Sequence, residues 1–226
     1  MNGSMNNNNQ VLEFVAKTHE YHLDKKKIPS VTQILAPISE IMYEKIELPT
    51  LRNKAKIGSE VHKLIEWYSK YGLLPSKEKT DERVYAYFTQ FLEWVKSLVD
   101  SINFKDEFKG FYSSNEMVFA GTIDNIRMIG NDLVLIDYKT VANPNKYLLS
   151  LQLYAYKLIA EQMLGIKINK CYALCLKTDS YEFVDITAEV NNFKTKEDWE
   201  LLYRLNRMLE FNGIKEIAKQ YNEENF

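Results

Sequence analysis

The chain has 226 residues, 46% of them hydrophobic, which suits one α/β domain with decorations and a sizeable core and leads one to expect no second full domain. A formal net charge of −2 gives no overall basic bias, so any nucleic-acid contact has to come from a local patch. Cys171 and Cys175 lie in Cys-Tyr-Ala-Leu-Cys, a spacing unlike a Cys-x-x-Cys metal or redox motif, and no apolar run approaches the roughly 20 residues of a membrane helix.

These features predict buried, reduced thiols in a cytoplasmic protein with no membrane contact. Residues 1–10 form an Asn-rich polar stretch with a second Met at position 5, read as a disordered lead or a cloning scar, and residues 11–226 are expected to form one domain. Val11 to Asp24 alternates as a short strand or hairpin arm does, Lys25 to Lys27 reads as an exposed turn, and His19 and His22 are expected on the surface. Pro29-Ser30-Val31-Thr32 places capping residues where a helix can begin, and the open N–H groups of such an end bind phosphate well. A capped helix without a ligand is the equal alternative there.

Leu51 to Tyr71 is predicted to be a helix, with Thr50 as its cap and Gly72 as its stop. Gly58, His62 and Glu66 recur every four residues and so share a face. Arg52, Lys54, Lys56 and Lys63 on the same helix are read either as a basic guide for a phosphate backbone or as an ordinary solvated face. Thr80 to Ile102 is expected to be a second helix, with Tyr87, Phe91, Trp94 and Leu98 as its core stripe. Phe104 to Phe119 supplies one or two strands, broken near Ser113-Ser114.

The stretch from Glu116 to Lys139 reads as a β-hairpin turning at Gly130-Asn131, a dipeptide that supplies positive φ. Counting outward from that turn sets Asp124 opposite Asp137, with Cβ atoms about 5 Å apart, and like charges so placed call for a cation between them. Lys139 follows Asp137 by two residues, so it projects from the same strand face about 7 Å further on. Two acids and a lysine on one face suit metal-assisted hydrolysis of a phosphodiester, the carboxylates holding a hard divalent ion and the lysine orienting or helping to deprotonate the water.

Beyond the hairpin, Asn143-Pro144 is expected to cap a helix that Gly165 closes, with Gln152 and Tyr156 one turn apart on it. Lys170 to Leu176 and Glu182 to Thr187 read as further strands, Asn191 to Phe211 as a charged amphipathic helix and Ile214 to Tyr221 as a short last one.

Gly121-Thr-Ile-Asp124, Ile136-Asp-Tyr-Lys-Thr140 and Gln152-Leu-Tyr-Ala-Tyr156 together resemble the PD-(D/E)xK nuclease superfamily, most of all its RecB-type and phage-type exonuclease branch. The resemblance implies an α-β-β-β-α-β core over about residues 50–187, a mixed β-sheet flanked by helices, with extra N- and C-terminal helices. Gly-x-x-x-His-x-x-x-Glu is similar to the helix preceding the core of RecB-type enzymes, which implies His62 as a metal ligand. The ion, Mg²⁺ or Mn²⁺, is then expected on His62, Asp124, Asp137 and the carbonyl of Tyr138, and Glu116 either holds a second ion or faces solvent. Lys139 and Gln152 complete the expected catalytic set with Asp124 and Asp137. Nucleic-acid contacts are expected from Tyr156, Thr140, Ser30, Thr32, Arg52 and Lys56.

The adaptation nucleases that share this core hold an iron–sulfur cluster on four cysteines; this chain has two, so no cluster is expected. The implied activity is DNA exonuclease action in recombination, repair or phage DNA processing, by the protein alone, as a homo-oligomer, or with a separate recombination or replication partner. A catalytically silent nucleic-acid-binding or protein-interaction module, or a structure-specific endonuclease, is the alternative.

Overall fold

Gly130 takes φ +59° in the computed structural model, which describes residues 4–5, 10–141 and 143–211, and the hairpin turns on it as its sequence predicts. Strands β6 (Val118–Ile129) and β7 (Asp132–Lys139) pair from Ile129↔Asp132 out to Asn125↔Ile136, the register expected from the turn. The ladder ends there, so Asp124 and Asp137 do not form a cross-strand pair and the expected face-to-face carboxylates are replaced by another geometry.

The first strands, β1 (Ser4–Met5), β2 (Val11–Val15), β3 (Glu20–Leu23) and β4 (Lys26–Ile28), form an antiparallel meander. Its turn is at Asp24-Lys25, both at positive φ, so Lys26 and Lys27 belong to β4 and not to the turn. Helix α1 (Val31–Tyr43) follows, then α2 (Leu48–Tyr71) and α3 (Glu82–Ser97). Helix α2 begins a turn-fraction earlier than expected, with Pro49 in its first turn and Thr50 already inside, because proline's fixed φ suits that position. Helix α3 stops short of Ile102: Leu98 is extended and Asp100 sits at φ +55°, a turn that sends Ser101 and Ile102 into β5 (Ser101–Ser113).

Helix α4 (Lys146–Leu164) is capped by Asn145, whose side chain accepts from the Leu148 N–H, rather than by Asn143; Gly165 in the left-handed conformation ends it. Strand β8 (Lys170–Leu176) matches expectation, β9 (Tyr181–Asp185) ends before Thr187, which enters the short helix α5 (Thr187–Val190), and α6 (Phe193–Phe211) closes the described fold. The expected helix at Ile214 to Tyr221 lies outside the described residues.

Five strands form a mixed sheet in the order β5-β6-β7-β8-β9, in which only β7 and β8 run parallel, joined through α4. Alternation on the strands divides the core. Leu135, Cys171, Ala173 and Cys175 pack toward α4, α1 and α6, whereas Val134, Ile136, Tyr138, Leu174 and Leu176 pack toward α2 and α3. Phe88, Phe91 and Trp94 fill the second layer. The order α2, α3, β5, β6, β7, α4, β8 is the expected core, with helices on both faces of the sheet. Among the described residues no helix is long and apolar enough to cross a membrane.

Candidate active site

Tyr138 is two residues beyond Ile136, so its N–H and C=O point toward β6 at the place where the ladder has ended. Side chains supply the missing partners. Asp124 Oδ2 accepts from the Tyr138 N–H at 2.7 Å, and His62 Nε2 on α2 lies 3.1 Å from the Tyr138 carbonyl oxygen. The other ring nitrogen, Nδ1, is 3.3 Å from Asp124 Oδ1. Both nitrogens of His62 thus face acceptors, an environment that suits the doubly protonated ring. Burial opposes that charge, but Asp124 overrides it and raises His62 to about 9.

A third group joins from β5. Glu107 falls between the pairs Asp106↔Asn125 and Phe108↔Ile123, opposite Asp124, at φ +46° and outside the ladder. Three positions apart on β6, Ile123 and Ile126 both reach the core layer under α4, which a strict two-residue alternation forbids; the strand is therefore irregular at Asp124. His62, Glu107 and Asp124 each offer one ligand atom, all within 4.8 Å of one another. Burial, then the Asp124 charge, push Glu107 up to about 7. Burial works against the charge on Asp124, yet His62, the Tyr138 N–H and Lys139 hold its carboxyl below the usual range. One nitrogen and two carboxylates, each offering a ligand atom to one point, suit a divalent cation once the histidine has lost its extra proton.

Asp137 and Lys139 project from β7 toward α4. Lys139 Nζ lies 2.7 Å from Asp137 Oδ2 and donates to Gln152 Oε1 at 3.0 Å. The Gln152 amide nitrogen donates to Asp137 Oδ1 at 3.0 Å and to the Tyr156 hydroxyl at 3.1 Å. Burial raises Asp137 despite Lys139; it also opposes charge on Lys139, but Asp137 and then Asp124 hold the lysine above its ordinary value as an ammonium. Gln152 is therefore a bracket that fixes the spacing of this pair.

The remaining expected contacts are placed differently. Tyr156 is buried, and its ring fills the space that Gly121 leaves, where an added Cβ would stand 2.7 Å from Cε1; it braces Gln152 and offers no surface to a strand. Ser30 is buried too, its hydroxyl accepting from the Gln33 N–H in a capping box. Glu116 lies in the β5–β6 turn beside Glu200, Tyr203 and Arg204, apart from the His62 group. Thr32 and Thr140 line a cleft of about 920 Å³ together with Lys139 and Gln152. Arg52 and Lys56 do not line it; Lys56 lies 4.0 Å from Glu60, and Lys54 and Arg83 are the helical cations that face the cleft.

The motif combination on β6, β7 and α4 has a counterpart among known proteins: the family model of the PD-(D/E)XK nuclease superfamily matches residues 77–222. The chain belongs to that superfamily. Membership suggests a hydrolytic nuclease acting on nucleic acid, and the five-stranded mixed sheet with flanking helices is consistent with the superfamily's fold. His62 precedes the matched segment, so its place in the group rests on its own contacts with Asp124 and Tyr138. The solved structure of SSO0001 is similar over 68% of this chain and 74% of that chain, at 16% identity and a TM-score of 0.37. No curated protein matches the chain.

Glu107 is the member of the group absent from the sequence-based expectation. A signal for it exists: pairing Ser113 with Val118 around the β5–β6 turn brings Glu107 across from Asp124.

Proposed function

We propose that the protein is a divalent-metal-dependent DNA exonuclease. The observation that carries the reading is the Lys139 ammonium, held between Asp137 and Gln152 in the lining of a cleft, beside the His62, Glu107 and Asp124 group. His62, Glu107, Asp124, Asp137 and the Tyr138 carbonyl would hold the ion. The histidine nitrogen favours Mn²⁺ somewhat over Mg²⁺. A bound ion supplies Lewis-acid polarisation of the scissile phosphate and lowers the pKa of its water.

The chain's own groups do the rest. Lys139 keeps its proton, so it orients the attacking water and stabilises charge developing on the phosphate oxygens instead of serving as a base. Gln152 fixes the lysine's direction. Asp124 aligns His62 and the Tyr138 peptide at once, so the three cannot shift separately. Action from a strand end is supported by His62 on α2, a helix that resembles the one preceding the core of RecB-type exonucleases.

The test is a time course on end-labelled linear DNA and on closed-circular DNA, with Mg²⁺, Mn²⁺ or EDTA, comparing wild type with Asp124→Ala and Lys139→Ala. Progressive, metal-dependent shortening of linear DNA only, lost in both variants, is expected. Cutting of circles would overturn the exonuclease assignment, and intact DNA under every metal would overturn the nuclease reading.

A further inference from the structure

The cleft beside Lys139 has a composition of its own. Much of its lining is apolar, from residues such as Leu35, Leu51 and Ile57, and two half-buried tyrosines, Tyr43 from the end of α1 and Tyr87 from α3, stand in it. Elsewhere the aromatic rings interlock, as Phe91 and Trp94 do with Tyr138. Among the described residues, neither Tyr43 nor Tyr87 packs its ring on another aromatic, and neither hydroxyl has a hydrogen-bond partner. Lys54, Arg83 and Lys139 line the same cleft against a single acid, Glu40. Neither Lys54 nor Arg83 makes an ion pair among the described residues.

Tyr87 rests in part on the apolar layer under α2 and α3, but neither it nor Tyr43 is covered by another aromatic ring among the described residues; such rings in an apolar wall, with cations lining the same cleft, match an unpaired strand, whose bases expose their faces and whose phosphates follow outside. A duplex hides those faces in its stack and presents phosphates alone. The volume, about 920 Å³, lies at the upper end of the roughly 300–1,000 Å³ typical of small-ligand sites, which suits a few nucleotides.

We infer that this cleft is a base-binding subsite for single-stranded DNA, in which Tyr43 and Tyr87 stack on bases while Lys54 and Arg83 contact the phosphates of the strand leading to Lys139. The inference rests on the nuclease reading above and names the substrate form of that site. Tyr43 and Lys139 line the same cleft, which joins the subsite to the reacting end.

The experiment is fluorescence anisotropy of the full chain in EDTA, with a short labelled oligo-dT and a blunt duplex of equal length. Wild type is compared with Tyr43→Leu and Tyr87→Leu, which keep apolar bulk without an aromatic face, and with Lys54→Ala and Arg83→Ala; thermal melts confirm folding. The single strand is expected to bind at least about tenfold more tightly than the duplex. Each leucine variant should lose about 5- to 150-fold in single-strand affinity, the equivalent of about 1–3 kcal/mol per stacked base. Each alanine variant should flatten the log–log salt dependence by about 0.7.

Equal affinity for both DNA forms, or folded leucine variants that bind oligo-dT within about twofold of wild type, would overturn the subsite. Cutting with Mg²⁺ or Mn²⁺ is scored separately on the same preparations. Tyrosine-dependent binding without any cutting sinks the exonuclease reading and leaves the subsite standing; cutting with unaltered leucine variants does the reverse.

Discussion

Gln152 accepts from Lys139 through its amide oxygen at 3.0 Å while its amide nitrogen donates to Asp137 at 3.0 Å, so one planar group sets the separation of a buried acid and a partly buried ammonium. An amide is the right chemistry for that position because it carries a donor and an acceptor on one rigid plane. Gln152→Ala is expected to lower the single-turnover cleavage rate about 10- to 100-fold, the usual cost of losing a group that orients metal or catalytic side chains. Gln152→Glu keeps an acceptor for Lys139 but sets a carboxylate against Asp137, and should fall into the same range. Tyr156→Phe, which removes only one acceptor from Gln152, should cost less; a Gln152→Ala rate within about twofold of wild type would refute the bracket.

His62 and Glu107 bind a cation only after losing their protons, so protons and metal compete for them. With His62 at about 9 and Glu107 at about 7, Mn²⁺ affinity is expected to rise as pH increases from about 6 and to level off above about 9. Near neutrality, binding should release between about one and two protons per ion, read by calorimetry in two buffers of different ionisation enthalpy. His62→Gln should remove the larger part of that release. A heat that does not depend on the buffer would show that these groups are not the ligands.

Burial pushes the Cys171 thiol up to about 12 and the Cys175 thiol up to about 11, and both face the core under α4. At about pH 8 neither should be a thiolate, so the native protein is expected to leave DTNB unreacted, while denaturation in guanidinium exposes both of the chain's cysteines. Rapid reaction of either thiol in the folded protein would contradict the burial of β8.

Ser30 marks a boundary between cap and contact. Its hydroxyl accepts from the Gln33 N–H, so Ser30→Ala should cost about 1 kcal/mol in urea denaturation, within the range for a lost helix cap. Affinity for DNA should stay within about twofold. A tenfold loss of affinity at unchanged stability would return Ser30 to the set of phosphate contacts.

Features written in local chemistry were legible in the sequence. Gly130 with its flanking apolar runs gave the β6–β7 turn and register, and the alternation in Lys170–Leu176 gave β8 and the shared face of its cysteines. What escaped depends on the third dimension. The register of the β5–β6 turn sets Glu107 across from Asp124, but its entry into the site depends on a break of the β5 ladder at a positive φ, of which regular alternation carries no trace. Lys54 rather than Lys56 faces the cleft because the rotation of α2 about its own axis is set by packing of Val61 and Ile65 against α3 and the sheet. Tyr156 reads as a polar neighbour of Gln152 in one dimension; its burial follows from the empty space at Gly121 on a different strand. Asp124 and Asp137 were found as a pair, but their geometry turned on where the ladder stops.

That stopping point makes the Tyr138 peptide a built-in reporter. Its N–H and C=O are satisfied by Asp124 and His62, the same two side chains that would take up a cation. Any ion that draws on them must release or retune one peptide whose aromatic side chain is anchored among Phe91 and Trp94 in the layer under α2 and α3. The Tyr138 amide resonance should therefore move on Mn²⁺-free titration with diamagnetic Mg²⁺, while the indole signal of Trp94 stays in place, giving a spectroscopic readout of site occupancy that needs no substrate.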